Sequence, residues 1–342
     1  MHQQLARAVF VALCVSTACS RGSSDSPRTE SPLAPSAANL AVQGSCQTIT
    51  GNSGVLSLKH DLSGFDSYCL RIAGGSGELN CLGHDIQSLE LSDVHGMTVH
   101  NCRMRGLMSS RSSDITVVDN VFTADTRKTV ATVLHFKDGT NNRVVANTID
   151  GSWGLQPFPP GGFPPGADDG ILIENDANLL IEGNTIHNVW DCGVERLGNR
   201  TDPVTIRGNT ITFAGECGIG GWFAAGWSDA LIIDNTVEAS GSFASIYYSP
   251  NQNRGVDHIT FRNNVFEGNR FRNPWRPGAA SVRIDYVTGT SRLPVDIGNN
   301  IFRNNDFGGN ILAPQLAPAF GFVDGGDNIC REDGKSALRC VR

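Results

Sequence analysis

The sequence is poor in lysine and contains no basic run. Only four of its 342 residues are lysine, and the formal net charge is −7. Nucleic acids are bound by clustered positive charge, so no nucleic-acid partner is expected. The sequence also lacks a nucleophile elbow, a phosphate-binding loop and a dinucleotide fingerprint, and its histidines have no metal-ligand spacing.

A sustained helical period is missing from every stretch after residue 18. Glycine, by contrast, is abundant at 39 residues, well above the usual share of about 7%. Apolar residues make up 39% and charged residues 18% of the chain. This composition is typical of a folded chain that turns often and is built from strands.

Residues 1–18 have the features of an export signal. Arg7 supplies a positive end, and residues 8–15 form an apolar core too short to span a bilayer. The next residue is Cys19, and the ending "VSTAC" resembles the lipobox of bacterial lipoproteins, which implies lipidation of Cys19. Loss of Cys14 and lipidation of Cys19 would leave eight cysteines, an even number. Ordinary secretion after cleavage at the same bond is the alternative.

A Ser/Pro-rich segment, residues 19–42, follows the export signal and predicts a flexible tether.

From residue 45 onward, one short phrase recurs, an asparagine before an apolar pair. Two near-copies, "IEGNTI" and "IRGNTI", place Asn184 and Asn209 25 residues apart. The marker recurs at Asn80, Asn101, Asn120, Asn147, Asn184, Asn209, Asn235, Asn264, Asn300 and Asn328. Each copy holds apolar runs of three to five residues, which predicts one coil per repeat and parallel strands between coils.

The repeated asparagine suits a turn in such a coil, because asparagine tolerates the left-handed region. Amides stacked about 4.8 Å apart can also hydrogen-bond to each other. Together with "LRIAGGSGELNCLGHDIQ" at 70–87, the chain resembles the right-handed parallel β-helix family, which includes pectate-lyase-like proteins. The resemblance implies an all-β, single-domain solenoid over 43–330 and a disulfide-closed tail over 331–342. It implies little about chemistry, since one fold hosts many functions.

The cysteine spacing agrees with this coil length. Three pairs of cysteines are separated by 23, 21 and 25 residues, each close to one repeat. Equivalent residues on adjacent coils have Cα atoms about 5 Å apart, within the 4.4–6.8 Å that a disulfide spans. The expected bridges are Cys46–Cys69, Cys81–Cys102, Cys192–Cys217 and, from the remaining pair, Cys330–Cys340. Disulfides predict an oxidising, extracytoplasmic compartment.

An acidic column is the sharpest chemical feature. Asp168, Asp191 and Glu216 each stand two residues before a glycine, and Asp169 follows the first. Carboxylates stacked about 5 Å apart repel, so one should be protonated or the group should bind a cation such as Ca²⁺. A protonated acid beside an ionised base suits glycoside hydrolysis, and a cation suits proton abstraction from a uronate. The alternative is that these residues only cap turns.

The phrases "DDGI" and "WDCG" loosely resemble polygalacturonases, although Cys217 stands where those enzymes carry histidine.

Strand alternation places further polar side chains on one outer face. Those assigned to this face are His135, Lys137, Glu195, Tyr247, Arg283 and Asp285. Lys137, Tyr247 and Arg283 are candidate catalytic residues, because a lyase needs a base and a cation that neutralises a uronate. The alternative is an ordinary solvated face.

Aromatic residues cluster in the second half of the solenoid. Exposed rings beside a groove bind the apolar faces of sugars, although tryptophan also packs under loops. The predicted substrate-binding residues are Trp153, Trp190, Glu195, Trp222, Trp227, Tyr248 and Trp275.

The sequence therefore predicts an extracytoplasmic, surface-tethered monomer that acts on a polysaccharide as a lyase, epimerase or glycoside hydrolase. The expected location is the cell envelope, with the outer membrane included, or the medium. Only the lipid anchor would contact a membrane. A non-catalytic carbohydrate-binding or structural lipoprotein is the alternative.

Overall fold

The computed structural model describes the larger part of the chain from residue 40 onward. The described residues are 40–42, 46–64, 68–155, 163–198, 203–221, 227, 229–248, 256–257, 259–267, 280–286, 297–298, 300–303, 306–307, 310–312, 322–324 and 329–330. All of them belong to one unit, Ala37–Arg342. The predicted export signal, Cys19 and the tail 331–342 lie outside the described residues. No helix in the described residues is long and apolar enough to cross a membrane.

All regular structure in the described residues is β-strand. The first strands are β1 (Leu40–Val42), β2 (Gln47–Leu58), β3 (Leu70–Asn80), β4 (Asp85–Ile86), β5 (Leu89–Ser92), β6 (Met97–His100), β7 (Arg103–Met104), β8 (Leu107–Ser110), β9 (Thr116–Val118), β10 (Val121–Thr123) and β11 (Thr129–Lys137). The next are β12 (Arg143–Val145), β13 (Thr148–Asp150), β14 (Gly166–Glu174), β15 (Leu179–Glu182), β16 (Thr185–Val189), β17 (Cys192–Leu197), β18 (Val204–Arg207), β19 (Thr210–Ala214), β20 (Cys217–Gly221), β21 (Leu231–Ile233) and β22 (Thr236–Glu238). The last are β23 (Ala244–Tyr248), β24 (Val256–Asp257), β25 (Thr260–Arg262), β26 (Val265–Glu267), β27 (Ala280–Tyr286), β28 (Ile297–Gly298), β29 (Asn300–Arg303), β30 (Asp306–Phe307), β31 (Asn310–Leu312), β32 (Phe322–Asp324) and β33 (Ile329–Cys330).

The strands stack in parallel into three faces, so the chain is a parallel β-helix. Face 1 contains the first half of β3 and then β5, β8, β11, β14, β17, β20, β23, β27 and β31. Face 2 contains the second half of β3 and then β6, β9, β12, β15, β18, β21, β25, β29 and β32. Face 3 contains β4, β7, β10, β13, β16, β19, β22, β26, β30 and β33. Strands β2 and β3 run through both of the first two faces. Strand β1 pairs with the end of β2, and β24 and β28 form a separate parallel pair.

Alternating side chains explain why each strand buries one side. On face 1 every second residue points inward, and equivalent residues stack from coil to coil. The inward column of face 1 is Leu70, Leu89, Leu107, Leu134, Ile171, Val194, Ile219 and Ala244, all at most 2% exposed. Face 3 contributes a similar column that runs from Ile86 to Phe266. The apolar runs of the sequence therefore form one continuous core.

Buried asparagines join successive coils where face 2 turns into face 3. The Nδ2 group of Asn147 donates to Oδ1 of Asn184 at 3.0 Å and to the carbonyl of Val117 at 2.9 Å. The Nδ2 group of Asn184 donates in turn to Oδ1 of Asn209 at 3.0 Å and to the carbonyl of Val144 at 2.9 Å. This asparagine ladder contains Asn120, Asn147, Asn184, Asn209, Asn235 and Asn264. The predicted stacking of their amides is confirmed. The left-handed conformation belongs instead to the residue before each of them, such as Asp119 with a φ of 53° and Gly183 with a φ of 64°.

Three of the predicted markers occupy other positions, and Asn328 lies outside the described residues. Asn80 ends β3 in register with His100. Asn101 is exposed with a φ of 53°, and the ladder position belongs to the next residue, Cys102, whose N–H donates to Oδ1 of Asn120. Asn300 opens a strand of face 2, since its neighbour Ile301 pairs with Thr260. Asn101 stands one residue before the ladder position, and asparagines occur in pairs at 299–300 and 304–305, so the phrase alone does not specify the position.

Three of the predicted disulfides are confirmed. Cys46–Cys69, Cys81–Cys102 and Cys192–Cys217 each join adjacent coils, with Cα–Cα distances of 4.2, 4.8 and 4.6 Å. The Cys81–Cys102 bridge precedes Asn120, so a covalent link stands where the asparagine ladder begins. The partner of Cys330, Cys340, lies outside the described residues.

Two boundaries differ from the prediction. Residues 40–42, the last three of the expected tether, form β1 and pair with Leu56–Leu58 because "LAV" is apolar enough to join the stack. Strand lengths range from two residues to the 12 of β2, whereas three to five were expected. Long strands arise where one strand serves two faces, as in β2 and β3, or continues into a turn, as in β14.

The asparagine ladder predicts a large difference between two isosteric substitutions. Asn184→Asp replaces a buried donor by an acceptor that faces the carbonyl of Val144. We expect it to lower the free energy of unfolding by about 3 kcal/mol or more. Asn178→Asp is the matched control, because Asn178 is exposed and aspartate also tolerates its φ of 54°. Urea unfolding of both variants tests this, and equal losses would contradict the role of the ladder.

Candidate active site

The acidic column lies where face 3 turns into face 1. The register pairs β14 with β17 and β17 with β20, which places Asp191 between Asp168 and Glu216 on three successive coils. Backbone hydrogen bonds keep this offset: the N–H of Asp191 donates to the carbonyl of Asp168, and that of Glu216 to the carbonyl of Asp191, both at 2.9 Å. Parallel strands are about 4.8 Å apart, so the three carboxyl groups are neighbours.

Two further carboxyl groups join the column. Asp169 lies in register with the Cys192–Cys217 disulfide, and its Oδ1 accepts from the N–H of Cys192 at 3.3 Å. Its side chain also hydrogen-bonds to Glu195 on the next coil. We call Asp168, Asp169, Asp191, Glu195 and Glu216 the carboxyl cluster. The contact between the Asp169 and Glu195 side chains was not predicted, since they belong to different parts of the repeat.

Crowding and burial make the cluster hold protons. Burial raises the pKa of Asp168, and the charges of Glu195 and Glu216 raise it further. A hydrogen bond from Asp191 opposes this rise, and the resulting pKa is about 8. Burial is also the main reason that the pKa of Glu195 rises to about 7. The pKa values of Asp169 and Asp191 lie well above their usual range, first because of burial and then because of neighbouring carboxylates. Carboxyl groups that hydrogen-bond to each other share protons, which fits these shifts.

Exposure divides the cluster into two groups. Asp168 and Asp191 are partly open to solvent, whereas Asp169, Glu195 and Glu216 are at most 7% exposed. The Oδ1 atom of Asp168 is buried and has no hydrogen-bond partner among the described residues. Asp168 and Asp191 are therefore the members that can reach a substrate, and the buried three set their charge.

Three members of the cluster could also hold a cation. One carboxylate oxygen from each of Asp168, Asp169 and Asp191 lies within 4.8 Å of the others. Calcium–oxygen distances of about 2.3–2.6 Å allow that spacing between ligands on opposite sides of the ion. Protons and a cation are alternative ways to relieve the same repulsion.

The predicted cation Lys137 is held in an ion pair. Its Nζ donates to Oε1 of Glu174 at 2.7 Å, and Nε2 of His135 contacts Oε2 of the same residue at 3.0 Å. Burial alone would raise the pKa of Glu174, but these two partners lower it. Burial lowers the pKa of His135. Lys137 is therefore neutralised on its own face and does not join the carboxyl cluster.

The other outer-face candidates share the register that was expected. Arg283 lies in register with Ser245 of β23, and Asp285 lies in register with Tyr247. Tyr248 follows at the end of β23. These positions alternate with the inward residues of face 1, as predicted.

The expectation of exposed tryptophan rings is wrong for the three tryptophans that the structure describes. Trp153, Trp190 and Trp227 are 4%, 6% and 0% exposed. Phe163 stacks on Trp190 with ring centroids 4.9 Å apart and is itself 60% exposed. Composition alone cannot tell a ring that covers a core from one that faces solvent. Trp222 and Trp275 lie outside the described residues.

A buried arginine next to the cluster was also missed. Arg196 takes an inward position of face 1 between Ile173 and Gly221, and it is 1% exposed. Its guanidinium lies 5.8 Å from the centre of the Trp227 ring, a cation–π distance. Gly221 allows this arrangement, because a Cβ atom there would lie 2.5 Å from Nε1 of Trp227. The sequence could have indicated this buried arginine, because Arg196 stands at a position where other repeats carry an apolar residue.

The raised pKa values predict that stability falls as pH rises. Below about pH 4 the cluster is protonated in the folded and unfolded chains, and above that the folded chain keeps more protons. The free energy of unfolding should therefore drop between about pH 5 and 8, by an amount on the order of 3 kcal/mol. Asp191→Asn removes one carboxylate and should flatten this slope, whereas the exposed Asp119→Asn should not.

Melting temperatures of the three proteins at pH 5 and pH 8 provide the measurement. A flat profile for the unsubstituted protein would contradict the protonated cluster. Stabilisation by Ca²⁺ at pH 8 that disappears in Asp191→Asn would instead show that a cation relieves the repulsion.

Two solved structures show a distant likeness to this chain. The catalytic domain of a GH87 α-1,3-glucanase in complex with nigerose is 11% identical, with a TM-score of 0.43, over 82% of this chain and 64% of that chain. This chain therefore matches less than two thirds of that domain. The Streptococcus pneumoniae surface protein and adhesin PfbA is 9% identical, with a TM-score of 0.36, over 77% of this chain and 84% of that chain. No curated protein matches the sequence.

The family of right-handed β-helix regions matches residues 48–266 and 168–322. These overlapping matches cover well over half of the chain. Together with the three parallel faces, they show that the chain belongs to the right-handed β-helix family.

Proposed function

We propose that the protein is a glycoside hydrolase that acts on a polysaccharide outside the cytoplasm, with the carboxyl cluster as its catalytic centre. One observation carries the proposal. Asp168 and Asp191 are adjacent, partly open to solvent and surrounded by buried carboxyl groups, with pKa values raised by burial and neighbouring charge. Glycoside hydrolysis requires one carboxyl group protonated and a second ionised near neutral pH.

The roles follow from the charge of each group. Asp168, with a pKa of about 8, would hold a proton at neutral pH and donate it to the glycosidic oxygen that leaves. Asp191, the other partly open member, would in its ionised form take a proton from the attacking water. Asp169, Glu195 and Glu216 would act as positioning residues, because they are buried and work through the charge of the two partly open groups.

The same geometry favours hydrolysis over elimination. A lyase or epimerase needs a cation beside the substrate carboxylate and a base that is ionised. Lys137, the cation predicted for that role, is bound to Glu174 instead, and a proton-bearing Asp168 suits the general acid that hydrolysis needs. Arg283 and Tyr247 stay candidates for such chemistry through their register positions on face 1.

The extracytoplasmic part of the proposal rests on the three disulfides, since such bonds persist in oxidising compartments. The finer part is that Cys19 carries a lipid and that the segment before β1 tethers the solenoid to the cell envelope. Its support is the lipobox-like sequence "VSTAC".

The test is the activity of Asp191→Asn against a panel of polysaccharides, with both reducing ends and ultraviolet absorbance of unsaturated products followed. We expect new reducing ends without unsaturated products, and a loss of at least about 10³-fold in turnover for the variant. Asp119→Asn, an exposed aspartate in the turn after β9, should keep full activity.

Melting curves of the same samples separate a catalytic role from a structural one. Full activity with a lowered melting temperature would mean that the carboxylates only serve the turn. Unsaturated products would identify a lyase. A protein that binds glycans but cleaves none would fit the alternative, a non-catalytic surface protein.

A further inference from the structure

We infer that a cationic cleft beside the carboxyl cluster binds an anionic sugar residue, carboxylated or sulfated, next to the bond that is cut. This inference rests on the proposed function, because it names the substrate class of that site. The cleft has a volume of about 580 Å³ and its charged lining residues are Arg105, Asp125, Arg127, Lys128 and His135.

The cleft and the cluster lie on consecutive coils of face 1. Strand β11 lines the cleft with Ala131 and Thr132, and it pairs directly with β14. Thr132 is in register with Asp169, which puts Ala131 beside Asp168. Neighbouring strands are about 4.8 Å apart, so a polysaccharide that reaches the cluster along face 1 continues into the cleft.

Positive charge dominates the cleft. Arg105, Arg127 and Lys128 contribute three cations, and Asp125 is the only carboxylate among the described lining residues. The chain as a whole carries a net charge of −7, so this local excess runs against the overall charge. An anionic ligand would gain from these cations and would be repelled by much of the remaining surface.

One carboxylate holds the two arginines in place. Asp125 accepts from Nε and Nη2 of Arg127, both at 3.0 Å, and lies 3.6 Å from Nη1 of Arg105. Side-chain and backbone hydrogen bonds from Arg127 keep the pKa of Asp125 well below its usual range. The arginine side chains are nevertheless 76% and 52% exposed, so their outer N–H groups face the cleft.

Lys128 provides a positive charge that no carboxylate within the described part of the chain neutralises. It is exposed and forms no ion pair within the described part of the chain. Its carbonyl accepts from the N–H of Gly166 at 3.0 Å, so the backbone beside the cluster-bearing β14 positions it. A single charge on a long, flexible side chain suits a carboxylate or a sulfate group equally well.

The rest of the lining fits a sugar ring. The hydroxyl of Tyr68 donates to Sδ of Met108 at 3.1 Å, which turns a partly exposed aromatic ring and a thioether toward the cleft. Gln87 and Thr132 add neutral polar groups. Amphipathic rings bind the apolar faces of sugars, while the cations would take the anionic substituent.

The test measures binding to matched polymers that differ in charge alone. Dextran, carboxymethyl-dextran and dextran sulfate share one backbone, and hydroxyethyl-cellulose and carboxymethyl-cellulose share another. We expect at least tenfold tighter binding to the charged forms, weakened by added salt. The carboxylated and sulfated dextrans tell which anion is preferred.

Variants assign the binding to the cleft. The double variant Arg105→Gln, Lys128→Gln should lose at least tenfold in affinity for the charged polymers. The control Lys59→Gln, Arg143→Gln removes the same charge from exposed residues outside the cleft and should bind as the unsubstituted protein does. Equal affinity of the two double variants, equal binding of neutral polymers, or no binding of charged ones would overturn the inference.

The cleft assignment and the proposed hydrolase activity are contradicted by different results. If charged polymers bind through the cleft but no glycan is hydrolysed, the proposed function fails and the cleft assignment stands. If a neutral glycan is hydrolysed and the cleft variant cleaves it normally, the assignment fails and the hydrolase stands.

Discussion

The hydrogen bond from each buried asparagine to the next fixes the offset between coils, and the other columns depend on that offset. The amide of Asn184 contacts Asn147 on one side and Asn209 on the other, and it also reaches the carbonyl of Val144. An amide that bonds on both sides leaves one register in which every buried polar group is satisfied. A slip by one residue would turn the inward side chains of faces 1 and 2 outward.

That fixed register forces like charges together in the next turn of the coil, between faces 3 and 1. Asp168, Asp191 and Glu216 would separate in a flexible chain, but their backbones are hydrogen-bonded on successive coils. The Cys192–Cys217 disulfide directly follows two of these residues and locks their coils. Burial, together with this repulsion, raises the pKa values of the cluster, which is the property that acid–base catalysis uses.

The sequence predicts those features that repeat at the coil period. The asparagine phrase, the one-coil cysteine pairs and the acidic column all reduce to counting residues, and each of them is found in the described part of the chain. Contacts between different positions of the repeat are different. Lys137 and Glu174 share the 37-residue step of Asn147 and Asn184, so counting places them side by side but does not show that they form an ion pair. Asp169 contacts Glu195 at another position of the repeat, and counting does not predict that contact.

The direction of a side chain, inward or outward, was the second feature that the sequence did not predict. Three tryptophans assigned to a sugar-binding groove are packed inside, whereas Phe163, which precedes β14, is the exposed ring. Arg196 has the opposite character, a charged residue at an apolar position of the repeat. Periodicity specifies the face on which a residue lies, but neighbours decide whether that face is covered.

The proposed catalysis requires that the carboxyl cluster holds protons near neutral pH. Carbon-13 NMR of protein labelled at the side-chain carboxyl carbons of aspartate and glutamate, titrated from about pH 4 to 9, measures this directly. We predict at least two carboxyl resonances that titrate above about pH 6 and that shift in Asp191→Asn. Titration of every carboxyl group below about pH 5 would contradict it.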